Sequence, residues 1–330
     1  MNPVLRVGVI GAGAMGADHV RTITSSVPAA RVTAVFDPDA ERAAAAAQPA
    51  GARVAGAADE LIGDVDAVVI ASPDFTHAGL TVACLGAGRP VLCEKPLAVS
   101  AADAWQVVEA EQRVGRRLVQ VGFMRRYDPG FADLRRAVGE GSVGQVRLIH
   151  AVHRNASNAT STDDAGLITG SMVHELDILP WLVQSPIAAI RVESPVRQGF
   201  RDPQLATVWL RNGVMASVEV FVNAGYGYDV RCEAVGTLGT LSLAASSPVS
   251  SRIAGIEGRV VRSDFVAHFA DAYRAELGAW ALAAAAGTAT GPSAWDGYVA
   301  QAAAEAGVRS LTYGGVVEVD PGPRPALYGA

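Results

Sequence analysis

The segment GVIGAGAMG at 8–16 constrains this chain more than any other, because Gly11, Gly13 and Gly16 complete a GxGxxG spacing directly after an apolar run and before good helix formers. Each glycine meets a separate steric demand: a tight turn, backbone approach to a pyrophosphate, and close packing of helix on strand. A helix opening at Ala14 and Met15 aims its unpaired amides at phosphate charge. Residues Gly11, Gly13, Ala14, Met15 and Gly16 are therefore expected to cradle a dinucleotide. Asp37 closes the next β-branched run, 21 residues beyond Gly16. A carboxylate there accepts hydrogen bonds from an adenosine ribose and repels a 2′-phosphate, so the expected cofactor is NAD rather than NADP. The competing reading is a glycine-rich turn with Asp37 capping the helix that follows.

Over residues 4–122 short β-branched runs alternate with alanine-rich stretches, the pattern of a parallel sheet covered by helices. Strands are expected at 4–10, 31–36, 66–71, 90–94 and 118–122, and helices at 14–26, 39–47, 76–87 and 100–115, the last capped by Ser100. This is an α/β, doubly wound Rossmann domain over 1–122. Open sheets of this kind bind ligands outside the carboxyl ends of their strands, which brings in Ser72, Pro73, Glu94, Lys95 and Pro96. His77, in a first helical turn, reads as a packed or exposed histidine and receives no role. From 123 to 330 the rhythm changes to an α+β domain with a large, mainly antiparallel open sheet. Helices are expected at 129–139, 172–183, 264–286 and 293–312, and strands at 145–153, 187–196, 205–211, 214–222, 229–235, 239–243 and 315–319, with the last segments packing back on the first domain.

A length of 330 residues suits two domains, and with 50% hydrophobic and 18% charged residues the chain is too apolar for disorder. No apolar run reaches the roughly 18 residues of a membrane span. A net charge of −6 argues against gripping a phosphate backbone, so neither nucleic acid nor membrane is an expected partner. Cys84, Cys93 and Cys232 lack metal-ligand spacing and are expected to be buried free thiols; no metal is expected. The N-terminus, with one early charge at Arg6, has no signal-peptide pattern, and a cytoplasmic location is expected.

The run VLCEKP at 91–96 places Lys95 at a strand end, where a partly desolvated lysine could exchange a proton with a substrate oxygen. A solvated lysine before a proline turn fits the residues equally well. With Gly11–Gly16, the triplet Glu94-Lys95-Pro96 makes the chain resemble the glucose-fructose oxidoreductase, inositol dehydrogenase and MocA family of two-domain dehydrogenases. The resemblance continues through GFMRRYDP at 122–129, HRN at 153–155, VHELD at 173–177, YGYDVRCEAVG at 226–236 and FADAYRAELGAW at 269–280, segments most similar to the inositol 2-dehydrogenases of that family.

That resemblance implies NAD-dependent oxidation of a ring hydroxyl of a myo-inositol-like cyclitol to the ketone, or the reverse reduction. It implies Lys95 and His174 as catalytic residues, His174 as base and Lys95 as polarising group, with Arg125, Asn155 and Tyr228 beside them lining the substrate pocket. It further implies a homo-oligomer, dimer or tetramer, built on open sheet faces, to which Leu205, Val208, Trp209, Val214, Val218, Val220 and Phe221 contribute. Read without it, Arg125 or its neighbour Arg126 fits a surface salt bridge, and His174 fits a satisfied core histidine on a helix with Leu176, Leu179, Trp181 and Leu182. Asp177, one turn on, orients the imidazole or serves the helix alone. One departure stands out: inositol dehydrogenases carry an aspartate four residues before the histidine, and here that place is Gly170. Substitution by Asp163 or Asp164, a different sugar or substituted cyclitol as substrate, and a decayed site that only binds NAD are the three readings this leaves open.

Overall fold

The computed structural model describes residues 4–157, 163–244 and 250–329. The chain divides into two units, one of residues 1–127, 271–301 and 321–330, the other of 128–270 and 302–320. The first unit thus runs past 122 and also takes in two later stretches.

In the first unit β1 (Leu5–Ile10), β2 (Ala30–Phe36), β3 (Arg53–Val54), β4 (Ala67–Ile70), β5 (Val91–Glu94) and β6 (Val119–Gly122) form a six-stranded sheet in the order β3-β2-β1-β4-β5-β6. Every pairing is parallel. Every residue of β4 and β5 is buried, which is why these strands read as unbroken apolar runs. Helices α1 (Ala14–Ser26), α2 (Ala40–Ala47), α3 (Ala58–Asp64), α4 (His77–Gly86) and α5 (Ala101–Val114) make the crossovers, and Ser100 caps α5 by accepting from Asp103 N at 3.0 Å. Neither β3 nor α3 is anticipated by the sequence, because a two-residue strand with both side chains exposed has no hydrophobic pattern to show. The later helix Ala270–Ala285 places Leu277, Trp280, Ala281 and Ala284 in one core cluster with Val7, Val9, Val32 and Val35. Trp280 is completely buried there, and removing such a ring costs on the order of 3–5 kcal/mol.

In the second unit β7 (Val146–Arg154), β8 (Ile187–Glu193), β9 (Gln204–Leu210), β10 (Met215–Phe221), β11 (Asp229–Gly236) and β12 (Thr240–Ser242) join the short strand Val317–Glu318 in the order β12-β11-β7-β10-β9-β8 and then that strand. The pairing is antiparallel except between β7 and β10, which are parallel. That exception is affordable because a long connection separates the two strands in sequence. One face is buried, with Ala206, Val208, Leu210, Ala216, Val218 and Val220 inward. The expected helix over 264–286 is broken at Phe269: Asp264 caps a short helix Phe265–His268, and a new helix starts at Ala270. The hairpin Ser250–Ile253 with Ile256–Arg259, and a π-helical turn Leu167–Met172 leading into the helix Val173–Val183, are absent from the sequence reading.

Candidate functional site

The glycine loop of the first unit has the shape a dinucleotide requires. Gly11 sits at φ +93°, and a Cβ there would lie 2.5 Å from the Ala71 carbonyl and Ser72 N. A Cβ on Gly16 would run into the Gly11 carbonyl oxygen. Around Gly13, in contrast, a Cβ would meet nothing within 4 Å, so the backbone lies open at the position where a pyrophosphate approaches. Ala14 and Met15 follow as the first residues of α1, whose N-cap Gly13 lends no side chain. The residues therefore fit NAD.

Asp37 stands where expected, just past the end of β2, and its carboxylate has two backbone partners. Its Oδ2 accepts from Ala12 N at 2.8 Å and its Oδ1 from Asp39 N at 2.9 Å, so one carboxylate braces the glycine loop. The helix cap is Asp39, which accepts from Arg42 N at 3.0 Å, so the capping alternative for Asp37 fails. Arg42 leans toward both acids, 4.0 Å from Asp37 and 3.2 Å from Asp39.

Ser72 and Pro73 follow β4 at the carboxyl edge of the sheet, tied down by Thr76: its Oγ1 is 2.6 Å from Ser72 Oγ and donates to the Pro73 carbonyl at 2.7 Å. Glu94 ends β5 with its side chain buried, while Lys95 is partly exposed. Glu94 Oε1 lies 2.8 Å from Nε2 of the fully buried His19, and its Oε2 accepts from Lys95 N at 3.2 Å. Burial opposes the charge on Glu94, but the bond to His19 and the neighbouring Lys95 outweigh it and hold the carboxyl below its usual range. A Cβ on Gly122 would lie 3.0 Å from Glu94 Oε2, so β6 makes room for that carboxylate by carrying glycine. His19, which braces Glu94, was not singled out from sequence; only its place one turn past the fingerprint hinted at it.

Arg125 is 2% exposed, on the turn Met124–Tyr127, and its neighbour Arg126 bridges Asp296 at 3.1 Å. Burial of Arg125 removes the solvent-facing reading of that side chain. Lys95 and Arg125 lie in the first unit; Asn155, His174 and Tyr228 lie in the second.

There the histidine is not an isolated core residue. His174 faces His153 with ring centroids 5.9 Å apart, and His153 Nδ1 is 3.3 Å from Glu175 Oε2, all three buried. Tyr228, also buried, packs edge-on against His153 at 5.8 Å and His268 at 5.3 Å. The second unit thus gathers three imidazoles, a carboxylate and a phenol. Asn155 follows β7; its N donates to the Phe221 carbonyl at 3.0 Å, and its buried Oδ1 has no hydrogen-bond partner among the described residues. Asp177 is buried on the His174 helix. His153, Glu175 and His268 were not singled out from sequence, although His153 lies in HRN at 153–155 and Glu175 in VHELD at 173–177.

Asp163 and Asp164 do not stand in for the carboxylate absent at Gly170. Asp163 accepts from Gly166 N at 2.7 Å, and Asp164 holds Arg201 through N at 2.7 Å and Nε at 2.5 Å. Asp163 orders its own turn, and Asp164 ties that turn to Arg201.

Among the described residues no group of His, Cys, Asp and Glu could hold a metal, and no helix is long and apolar enough to cross a membrane. The three cysteines are buried and free.

The oxidoreductase family model with an NAD-binding Rossmann fold, GFO/IDH/MocA, matches residues 5–123, and the GFO/IDH/MocA C-terminal domain matches 131–242. Inositol 2-dehydrogenase 1 of Saccharopolyspora erythraea is 52% identical over 334 residues, 98% of this chain and 99% of that protein. Inositol 2-dehydrogenase of Streptomyces avermitilis is 42% identical over 339 residues, 100% of this chain and 98% of that protein. Among solved structures, myo-inositol dehydrogenase from Lactobacillus casei, in complex with NAD(H) and myo-inositol, superposes with a TM-score of 0.94 at 33% identity, covering 99% of this chain and 100% of that one.

Proposed function

Because the chain belongs to the Gfo/Idh/MocA family of NAD-binding oxidoreductases, we propose that it oxidises a ring hydroxyl of a cyclitol such as myo-inositol to the ketone, and catalyses the reverse reduction. The observation that carries this reading is the likeness, over both domains, to a dehydrogenase seen with NAD(H) and myo-inositol. NAD, when bound, supplies the hydride acceptor, and the chain supplies orientation and proton handling. His174 takes the hydroxyl proton as the ring C–H bond is broken, with the His153 and Glu175 pair beside it steadying the imidazole. Lys95 polarises the reacting oxygen. Asn155 Oδ1, buried without a protein partner among the described residues, accepts from a substrate hydroxyl, and Arg125 and Tyr228 offer further polar contacts.

A panel of polyols assayed by NADH absorbance tests this: turnover of myo-inositol is expected, and NAD binding with no polyol oxidised would overturn it in favour of a decayed site. A second reading, a substituted cyclitol or another sugar, is favoured by the open space at Gly170, where a Cβ would meet nothing within 4 Å. The same panel ranks the two.

The chain further acts as a homo-oligomer joined through the outer face of the second unit's sheet. Leu205 is 50% and Met215 39% exposed on that face, with Trp209 opposite Met215 and Phe221 further along the same strand only half-buried. These exposed apolar side chains, interleaved with Thr207, Ser217 and Glu219 on the same face, support a covered face. Val208, Val218 and Val220, also expected to contribute, instead fill the inner face, and Val214 is buried as well. A monomeric mass by light scattering would refute the oligomer. Three buried free thiols support a reducing, cytoplasmic location.

A further inference from the structure

His77 opens α4 and is 1% exposed. Both of its ring nitrogens meet backbone carbonyls: Nδ1 lies 2.7 Å from the Pro96 oxygen and Nε2 lies 2.8 Å from the Ser72 oxygen. A carbonyl oxygen has lone pairs and no proton, so at each contact the ring must donate. A neutral imidazole carries one N–H; at the other contact it would turn a lone pair toward a lone pair in a buried place. Only the imidazolium satisfies both partners.

We propose that His77 is held as a doubly protonated imidazolium that ties the chain leaving β4 to the chain leaving β5 and thereby positions Lys95. The role rests on the assignment of Lys95 made above. Residue 95 is bracketed: on one side Glu94, braced by His19, accepts from Lys95 N, and on the other the Pro96 carbonyl is held by His77. The second donor of His77 reaches Ser72, so one ring fixes two neighbouring strand ends, where ligands of open parallel sheets bind. Charge-assisted bonds of this kind are shorter and stronger than neutral ones, which suits a brace.

The other groups around the ring agree with a charge. Burial works against it, but the electrostatic pull of and hydrogen bond to Cys93 on β5, with the two carbonyls, work for it, and the balance raises the imidazole to about 10. Cys84, on the same helix as His77, is pushed up by burial and by Cys93, so it stays a neutral thiol. A group raised in this way stabilises the fold fully below the ordinary histidine value of 6.5, and that contribution is lost as pH climbs through about 10.

The test uses the whole enzyme. Imidazole nitrogen NMR, with the His77 signals assigned by their loss in His77→Gln, is expected to show both ring nitrogens protonated and no titration between about pH 6 and 9. A ring that gives up a proton within that interval overturns the proposal, whatever substrate the enzyme uses. In kinetics, His77→Gln is expected to lower kcat by about 10- to 100-fold while the KM for NAD stays within about threefold, since an amide cannot donate to both carbonyls. In a Lys95→Met background the same change should cost less than about twofold more, because the effect runs through Lys95. An unchanged kcat, a loss confined to the KM for NAD, or a full further loss without Lys95 each overturns the positioning role. Should His77→Gln fold poorly, loss of the same signals in His77→Asn supplies the assignment, and because the NMR arm needs no polyol, a titrating ring overturns the proposal while a mistaken choice of substrate shows only as absent turnover in the wild type.

Discussion

The two units carry their chemistry in different materials. In the first, recognition is mostly backbone: a loop whose shape depends on Gly11 and Gly16 having no side chains, with open backbone at Gly13 and one carboxylate, Asp37, bracing the turn. In the second it is side chains from separate elements: His153 on a strand, His174 and Glu175 on a helix, Tyr228 where another strand begins. A backbone cradle is local and tolerates nothing added. A side-chain array assembles only when a sheet and a helix have packed.

The difference predicts opposite failures. Replacing His174 with alanine should cost about a thousandfold or more in kcat, as loss of a general base does, while NAD binding followed by fluorescence stays as in wild type. If kcat falls less than tenfold, the base lies elsewhere, and His153 becomes the first alternative. Gly16→Ala should do the reverse. Its new Cβ meets the Gly11 carbonyl oxygen, a backbone atom that cannot swing aside, so NAD affinity should drop by about a hundredfold and the melting temperature should fall. Unaltered NAD affinity in that variant would show that the loop can shift and that its shape is less binding than it looks.

The same contrast explains what could be read from the sequence. The fingerprint, the end of β2 and the strand ends at Ser72 and Glu94 follow from spacing, since every constraint there acts within one strand-turn-helix unit. Apart from the exposed β3, the strands of the first sheet match the apolar runs to within a residue because they are largely buried on both faces. What escaped depends on contacts far apart in the chain. His19 meets Glu94 across 75 residues, and His153 meets Glu175 across 22, so neither pair has a spacing to recognise. His77 looked idle because its partners are carbonyls, which carry no sequence signature. The π-helical turn before His174 likewise has no period that distinguishes it from the helix it joins.

Cofactor choice is a milder test of the cradle. Arg42 already lies 4.0 Å from Asp37, so Asp37→Ser would remove the carboxylate that repels a 2′-phosphate and leave a guanidinium near its place, with no arginine to be introduced. The ratio of kcat/KM for NADP to that for NAD should rise by about 10- to 100-fold. Some of the change will come as weaker NAD binding, because Asp37 also holds Ala12 N. A wild-type enzyme that uses both cofactors equally well would remove the basis for this prediction.

The smallest effect belongs to Gly170, where the sequence departs from the inositol dehydrogenase pattern. Among the described residues a Cβ there meets nothing within 4 Å, so the first atom of an aspartate side chain enters without a clash. Its φ is not in the left-handed region, so no backbone strain opposes the change. An aspartate beside the imidazole would favour the protonated ring and strengthen the base. Yet His174 already packs on His153, which is paired with Glu175, so a carboxylate is present one residue beyond the histidine even though it is absent four residues before. If that array serves the histidine, the added aspartate should change kcat/KM with myo-inositol by less than about threefold. It should also narrow the set of accepted rings, because the new side chain fills space that a substituent could use. A tenfold gain with myo-inositol would instead show that His153 and Glu175 do not replace the missing acid. Loss of a bulkier cyclitol from the accepted set, with myo-inositol unaffected, would show that the glycine is there to make room.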